Sequence, residues 1–284
     1  MKSTARSWIR AHALVPLALC LSLAMASLAL GQDGKAALKN VRWQQGPSAA
    51  SLGDFAEIRV PAGFVFAGGN DTRLIMESMG NPASGKELGF LAPSAGEWFL
   101  VFEFSEVGYV RDDERNSLDA DALLNSIRSG TEAANKERAK RGWATLSIVG
   151  WDLPPRYNPD THNLEWAVRG QSEGHFVVNH NTRLLGRRGV MKVTLVGDPS
   201  AIPQILPGFA TLMGDFTFKS GHQYAEFTRG DKVAQYGLAA LIVGGAGAAA
   251  VKGGLFKWIW KLLVVAGLGV AGFLKKLIGA KRTA

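Results

Sequence analysis

Two apolar runs without charge lie near the ends of the chain and confine the globular fold to the segment between them. The first, "ALVPLALCLSLAMASLAL", follows three basic residues, a pattern typical of a secretory signal peptide. The second, "VAQYGLAALIVGGAGAAAV", would cover roughly 28 Å as a helix, close to the ~30 Å of a bilayer's hydrocarbon core. We therefore predict a signal peptide at 1–31, an extracytoplasmic domain at 32–232 and a transmembrane helix at 233–251. An uncleaved N-terminal anchor is the alternative to a cleaved signal.

A second apolar segment follows the predicted span. "LFKWIWKLLVVAGLGVAGFLKK" predicts a helix at 255–278, with a basic tail to 284. Its uninterrupted apolar run is shorter than the ~20 residues of a spanning helix, so it either spans or lies in the membrane interface. Gly237, Gly244 and Gly247 would let another helix approach closely, which predicts self-association through the span. The alternative is a buried Ala/Gly-rich helix of a soluble fold.

The positive charge of the chain comes from its ends. The chain has 32 basic and 24 acidic residues, for a net charge of +8. Three basic residues lie in the predicted signal and seven follow residue 232, where no acid occurs. The segment 32–232 therefore holds 22 basic and 24 acidic residues and carries −2. Nucleic-acid binding needs a basic surface on the domain, so we predict membrane lipid and no nucleic acid as a partner.

The predicted mature chain lacks cysteine and two common catalytic patterns. Cys20, the only cysteine, lies in the predicted signal, so no disulfide, thiolate nucleophile or cysteine metal ligand remains. The mature chain contains no H-E-x-x-H or P-loop pattern. His175 and His180 would point to opposite faces of a strand, which is unsuited to a shared metal. We predict no metal site and no cofactor.

The segment 32–232 reads as short strands and turns with few helices. "FAEIRVPAGFVFAGG" predicts strands broken by Pro61 and Gly63, with a turn at 68–71, and "GEWFLVFEFSEVGYV" predicts another strand. Apolar residues at three- and four-residue spacing predict a helix over 118–140, capped by Ser117 or Asp119. "PSAIPQILPGFATLMGDF" predicts a second, proline-interrupted helix. The fold class is therefore α+β, built on an antiparallel sheet.

The polar residues of one predicted β-hairpin are its most unusual feature. "HFVVNHNTRLLGRRGVMKVTLVG" predicts two strands that turn at Gly186-Arg187-Arg188-Gly189. A tight turn places Arg183 opposite Lys192 and Asn181 opposite Thr194. Arg183 and Lys192 form a like-charge pair, which is unfavourable unless Glu165 or an anionic ligand lies between them.

The preceding strand completes the polar face of this hairpin. Read across a turn at "GQSEG", that strand adds Glu165 to the polar face and Leu164, Trp166 and Val168 to the apolar face. Three interpretations stay open: a solvated outer face, a ligand or partner surface, and a catalytic site. The candidate ligand or partner face consists of Glu165, Asn179, Asn181, Arg183, Arg187, Arg188 and Lys192.

A proline-rich segment supplies a second candidate site. "GWDLPPRYNPDTHN" predicts a rigid loop that presents Trp151 and Tyr157, suited to a glycan or a peptide, although local stiffening explains it equally well. An enzyme of this composition would most plausibly be a hydrolase. Asp152, Asp160 and Glu165 would be its acid and base groups, with Arg183 and Asn181 as substrate anchors.

Several long blocks of the chain resemble one bacterial family. The blocks include "GYVRDDERNSLDADALLNSIRSGTEAANKERAKRGW", "VGWDLPPRYNPDTHNLEWA" and "VNHNTRLLGRRGVMKVTLV". They are similar, in order, to uncharacterised membrane-anchored proteins known as domain of unknown function 2167. The resemblance implies a signal-bearing envelope protein with a C-terminal anchor, and it supplies no activity, cofactor or catalytic residue.

These observations together predict a non-enzymatic protein of the bacterial inner membrane whose main domain is periplasmic. We expect it to bind a partner protein or an envelope component, with self-association through the glycine-rich span. A periplasmic hydrolase that acts on an envelope polymer is the alternative. The two differ in geometry, because an enzyme needs carboxylates that converge on a concave site, whereas a binding module can use a flat polar face.

Overall fold

The computed structural model describes residues 40–79, 81, 83–94, 98–140 and 142–243, which form eleven strands and four α-helices. The strands are β1 (Trp43–Gln45), β2 (Ser48–Leu52), β3 (Ala56–Val60), β4 (Phe64–Gly68), β5 (Glu87–Pro93), β6 (Phe99–Ser105), β7 (Ser147–Asn158), β8 (Asn163–Ser172), β9 (His175–Leu185), β10 (Val190–Gly197) and β11 (Phe216–Phe218). The helices are α1 (Gly69–Ser78), α2 (Ala120–Lys140), α3 (Ile202–Gly214) and α4 (Leu238–Val243).

Eight strands form one large antiparallel sheet, in the order β1-β4-β5-β6-β10-β9-β8-β7. A small antiparallel sheet, β11-β3-β2, packs on it. In β3, buried and exposed side chains alternate, as expected for a strand with one covered face. The architecture confirms the predicted α+β class on an antiparallel sheet.

The two faces of the large sheet bury different layers. On the sandwich face, apolar side chains of the large sheet share one core with the small sheet and with α3, through residues such as Phe102, Leu195 and Phe209. On the helical face, α1 packs near β4 and β5, through Ile75 beside Phe90. Helices α2 and α4 cover the β7–β8 end of that face, through Ile127 and Leu241 beside Trp166.

Helix α2 confirms the prediction from its apolar spacing. Its buried residues follow the predicted three- and four-residue spacing and include Leu123, Ile127, Thr131, Ala134 and Arg138. Of the two predicted caps, Asp119 accepts a hydrogen bond from the amide of Ala122 at 3.0 Å, which satisfies one free N–H of the first turn. Helix α3 is also confirmed, with Pro207 inside it.

The predicted turn at 68–71 is wrong, because helix α1 begins there. Thr72 donates hydrogen bonds from its hydroxyl to the carbonyls of Ala67 and Gly68, which tie the first turn to the end of β4. Gly69 permits this start, since a Cβ atom at that position would lie 2.3 Å from the carbonyl oxygen of Glu87 in β5. Gly69 therefore marks a close approach of helix and strand.

The predicted proline-rich loop is also wrong. Trp151 and Tyr157 lie within β7, which runs through Pro154 and Pro155. Because β7 is an edge strand of the large sheet, a proline there removes no hydrogen bond from a second neighbour. The register of β7 against β8 shifts between Trp151 and Leu153 and again before Arg156, which accommodates the prolines.

The described part of the predicted span lies against the domain. Val233 forms a bridge with Tyr109, and α4 begins at Leu238, five residues after the charge-free run begins. Leu238 and Leu241 are 0% and 4% exposed, in one cluster with α2. No helix within 40–243 has the length and apolar character needed to cross a membrane. The predicted signal peptide, the second apolar helix and the tail lie outside the described residues.

Candidate functional site

A patch of polar side chains lies on the helical face of the central strands. Asn179, Asn181 and Arg183 of β9 are 0%, 2% and 2% exposed. Thr194 of β10 is also buried, while Lys192 of β10 and Glu103 of β6 are half-buried. We refer to these six residues as the polar patch: Glu103, Asn179, Asn181, Arg183, Lys192 and Thr194.

The pairing of β9 with β10 brings the patch together as predicted. Arg183 is the direct cross-strand partner of Lys192, and Asn181 is the partner of Thr194. Lys192 in turn lies opposite Glu103 of β6. Side chains of directly opposed residues emerge on the same face about 5 Å apart, so these residues form two adjacent rows across the sheet.

Arg183 is a buried cation without an ion-pair partner in the described structure. None of the described carboxylates lies within 4.0 Å of its guanidinium. Its Nη1 donates to the carbonyl of Thr182 at 3.2 Å, its Nη2 donates to Oδ1 of Asn181 at 3.5 Å, and its Nε has no acceptor. Burial lowers the pKa of Arg183 to about 10, an effect opposed by the charge of Glu103. Arg183 is therefore still charged at neutral pH.

Neighbouring side chains hold the guanidinium in place without neutralising it. The guanidinium carbon of Arg183 lies 4.5 Å from the centre of the Trp166 ring, a cation–π contact. Asn181 is fixed by two further hydrogen bonds: its amide nitrogen donates to the carbonyl of Asn179 at 3.0 Å, and its Oδ1 accepts from the hydroxyl of Thr194 at 3.3 Å. The position of Arg183 is thus rigidly defined on two sides.

The acidic residues nearest to the patch have partners of their own. Glu103 lies opposite Glu87 of β5 and accepts a hydrogen bond from the hydroxyl of Ser84. Glu87 lies 3.4 Å from Nε of Arg73. Burial alone would raise the pKa of Glu87, but hydrogen bonds from the amide and hydroxyl of Ser84 hold that pKa below its usual value. The second carboxylate beside Glu103 is therefore ionised and already paired with an arginine.

The polar face of the hairpin is not a solvated outer face, because three of its residues are buried. The position predicted for Glu165 is also wrong: Glu165 lies opposite Thr182, on the sandwich face. The cause is the two-residue turn between β8 and β9, in which Glu173 and Gly174 both have positive φ. This turn places Trp166, and not Glu165, opposite Asn181.

Arg187 and Arg188 lie at the hairpin turn and outside the patch. Arg187 donates to both carboxylate oxygens of Asp231, at 2.7 and 2.9 Å, and to the hydroxyl of Thr228. Hydrogen bonding to Arg187 holds the pKa of Asp231 well below its usual value, and the same contact raises the pKa of Arg187. Arg188 is exposed. Arg187 therefore connects the hairpin to the C-terminal segment of the domain.

The residues of the aromatic candidate site have structural partners. Trp151 donates from its ring nitrogen to the carbonyl of Ala120 at 3.1 Å, which ties β7 to the start of α2. The hydroxyl of Tyr157 lies 3.1 Å from Nδ1 of His162. Burial, assisted by the charge of Asp112, raises the pKa of Tyr157 well above its usual value. Both aromatic side chains are part of the packing between β7 and its neighbours.

The hydrolase candidates do not converge. Glu165 accepts from Nε and Nη2 of Arg156 at 3.2 and 3.0 Å, and Asp152 forms an ion pair with Arg169. Asp160 is exposed in the turn between β7 and β8. Glu165 lies on the opposite face of the sheet from Arg183 and Asn181, so acid groups and substrate anchors cannot meet. The described residues also contain no group of three histidines, cysteines or acids arranged to hold a metal.

Gly237 has a local role that the sequence did not indicate. A Cβ atom there would lie 2.6 Å from the carboxylate of Glu114, which accepts a hydrogen bond from the amide of Ala239 at 3.0 Å. Glu114 thus satisfies a free N–H at the start of α4. Gly244 and Gly247, the other predicted helix-packing residues, lie outside the described residues.

Sequence reasoning missed Glu103 and Trp166 as members or neighbours of the site. Glu103 could have been found, since it is the only charged residue in the apolar run "WFLVFEFS". An acid in the middle of a buried strand needs a specific partner. Trp166 depends on the register of β8, which alternation alone does not establish.

The comparisons with solved structures give weak matches. Cyanobacterial PsbP from Synechocystis sp. PCC 6803 has a TM-score of 0.36 at 11% identity, covering 63% of this chain and 93% of that one. The Ran-binding protein Mog1p of Saccharomyces cerevisiae has a TM-score of 0.34 at 9% identity, covering 65% and 100%. The putative regulator PA94 of Pseudomonas aeruginosa has a TM-score of 0.24 at 16% identity, covering 43% and 73%. Similarities at this level support no functional argument.

Comparison with family models identifies the family of this chain. No curated protein matches the chain. The model of a family described as "Protein of unknown function (DUF2167)" matches residues 44–275, which include the polar patch and every strand from β2 to β11. This chain is therefore a member of the DUF2167 family.

Proposed function

We propose that this chain is a non-enzymatic binding module of the bacterial cell envelope that holds a partner protein or an envelope component at the polar patch. The observation that supports this proposal is Arg183, a cation only 2% exposed that has no carboxylate within 4.0 Å among the described residues. Burying an unpaired charge is unfavourable by several kcal/mol in order of magnitude. A fold retains such a residue when it contributes to something other than stability.

The hydrolase alternative has no comparable support. Its carboxylates Asp152 and Glu165 each contact an arginine, and these contacts neutralise their charge. General acid–base catalysis needs groups within hydrogen-bond reach of one reacting atom. A binding module needs only the patch itself, so it is the simpler account of the geometry.

A tether to the inner membrane remains part of the proposal and rests on the apolar C-terminal sequence. Helix α4 is packed in one cluster with α2, and the charge-free run continues beyond α4 for only eight residues, 244–251. Eight helical residues cover about 12 Å, against a hydrocarbon core of about 30 Å. With α4 packed against α2, a helix that spans the membrane would therefore need the later apolar run at 262–274 as well.

Site-specific photo-cross-linking in cells tests the binding proposal. A photoreactive amino acid replaces Lys192, which is half-buried in the patch, or Glu57, an exposed residue of the small sheet, as the matched control. We expect an adduct of one defined mass from position 192, absent from position 57 and abolished by Arg183→Met. Equal labelling at both positions, or no adduct at position 192, would contradict a binding role of the patch.

A further inference from the structure

We infer that the polar patch binds an oxyanion, the carboxylate or phosphate group of a ligand, through the guanidinium of Arg183. This inference rests on the proposed function and specifies the chemistry of its ligand. It is carried by the lack of a described carboxylate beside Arg183, by the free donor of Arg183 and by the position of the neighbouring aromatic ring.

No described carboxylate neutralises Arg183. Lys192 lies directly opposite Arg183 on the adjacent strand, so both side chains emerge on the same face. The nearest acid in this row, Glu103, lies on β6, one strand beyond Lys192. Glu87, the next acid, is paired with Arg73. The guanidinium of Arg183 therefore has no described carboxylate within 4.0 Å.

Glu165 cannot neutralise Arg183, because the register of β8 places it on the other face of the sheet. Glu165, the acid that the sequence places beside Arg183 and Lys192, lies on the sandwich face and contacts Arg156. The described part of the chain therefore supplies only Glu103, which remains farther than 4.0 Å from Arg183. A negative group from a ligand is what the arrangement lacks.

The donors of Arg183 are suited to an oxyanion. A guanidinium has five N–H donors in a planar fork that fits two oxygens of a carboxylate or phosphate. In Arg183, Nε has no acceptor and the bond from Nη2 is long, at 3.5 Å. These two nitrogens form one edge of the fork, the edge that a bidentate oxyanion contacts. Trp166 lies over the face of the group, 4.5 Å from its central carbon, and not at this edge.

Because Arg183 is buried, its contact with the oxyanion should be strong, and access to the site is restricted. A charge-assisted hydrogen bond in a site shielded from water is stronger than one at a surface. Because Arg183 is 2% exposed, a ligand group must displace neighbouring side chains to reach it. We therefore expect binding that is slower than diffusion and accompanied by a change at Trp166.

Thermal unfolding of the purified full-length chain in mild detergent tests this inference. The probes are inorganic phosphate and acetate, each titrated against chloride at constant ionic strength. For the wild type, we expect the Tm to rise saturably, by about 3 °C at tenfold excess over the dissociation constant, in at least one series. The same series should leave the Tm of Arg183→Met unchanged. Arg188→Met, which removes an exposed arginine of the hairpin turn, is the matched control and should respond like the wild type.

The outcomes distinguish the ligand classes and the two proposals. A response to phosphate alone assigns a phosphate group, and a response to acetate alone assigns a carboxylate. Absence of a saturable response in both series, or equal responses of wild type and Arg183→Met, would overturn the oxyanion inference. A position-192 adduct that persists alongside such a result would leave the binding module intact with a different ligand.

A second variant keeps the test decisive if Arg183→Met does not fold. Arg183→Lys keeps the positive charge but loses the planar fork, so it offers one contact in place of two. We expect its half-maximal anion concentration to be at least tenfold higher than that of the wild type. An unchanged concentration would show that the anion does not contact the guanidinium.

Discussion

Replacing Arg183 by methionine should leave the domain about as stable as the wild type, which is unusual for a residue at the centre of a sheet. Burial lowers the pKa of Arg183 from its ordinary value to about 10. Each tenfold change in a protonation equilibrium corresponds to 1.36 kcal/mol. The lowered pKa therefore means that folding disfavours the charged form of Arg183 by about 3 kcal/mol. Methionine fills a similar volume without charge and removes that penalty.

The interactions lost in the variant are of similar size. The cation–π contact with Trp166 contributes about 1–2 kcal/mol in a buried site, and the two long hydrogen bonds contribute about 0.5 kcal/mol each. The terms nearly cancel, so we expect the free energy of unfolding of Arg183→Met to lie within about 1 kcal/mol of the wild type. For a domain of this size that corresponds to less than about 4 °C in Tm.

Circular dichroism melting of the full-length chain, in chloride without other anions, measures this difference. Arg183→Ala serves as the control, since it removes the same charge but leaves a cavity and should lower the Tm clearly. A structural role for Arg183 predicts the opposite pattern. If methionine lowers the free energy of unfolding by about 3 kcal/mol or more, as alanine does, the guanidinium stabilises the fold and the argument for a binding role fails.

Three further predictions concern the C-terminal segment of the domain. Leu241→Asp should destabilise the whole domain by several kcal/mol, because Leu241 is 4% exposed and lies in the apolar cluster that α4 shares with α2. An unchanged urea unfolding curve would show that α4 is not part of the core. Asp231→Asn removes the carboxylate that Arg187 keeps ionised, so the loss of Tm should be full above about pH 4 and shrink as the pH falls below it; a pH-independent difference would refute this linkage. Gly237→Ala should displace the carboxylate of Glu114 and speed amide hydrogen exchange at the start of α4, whereas Gly208→Ala, with open space around its Cβ position, should not change that exchange.

The sequence predicted local pairing well because the hairpin carries its own constraints. Alternation in β9 and β10 and the short turn at 186–189 determine the register, so the pairs Arg183–Lys192 and Asn181–Thr194 follow from the sequence alone. Helix α2 was predictable for a similar reason, since the spacing of its buried residues and the cap at Asp119 are local.

Two features of the site could not be predicted, because they depend on distant parts of the chain. The position of Glu165 changes face with a one-residue difference in the β8–β9 turn, and the string "GQSEG" does not show that Glu173 and Gly174 alone form it. Alternation also groups residues by face without showing whether a face is covered. The burial of Arg183 depends on long-range packing around the helical face, which the sequence of the hairpin does not encode.

The position of α4 relates the patch to the proposed tether. Helix α4 packs in the same cluster as Trp166, and Trp166 also lies over the guanidinium of Arg183. One side chain therefore contacts both the candidate ligand site and the core that holds the C-terminal segment. Since α4 and the patch share the helical face, a tether that follows Val243 would start on the side of the domain that carries the patch. A ligand anchored in the membrane is better placed to reach that face than the sandwich face, which the small sheet and α3 cover. If the proposed tether exists, the patch would therefore lie on the same side of the domain as the membrane.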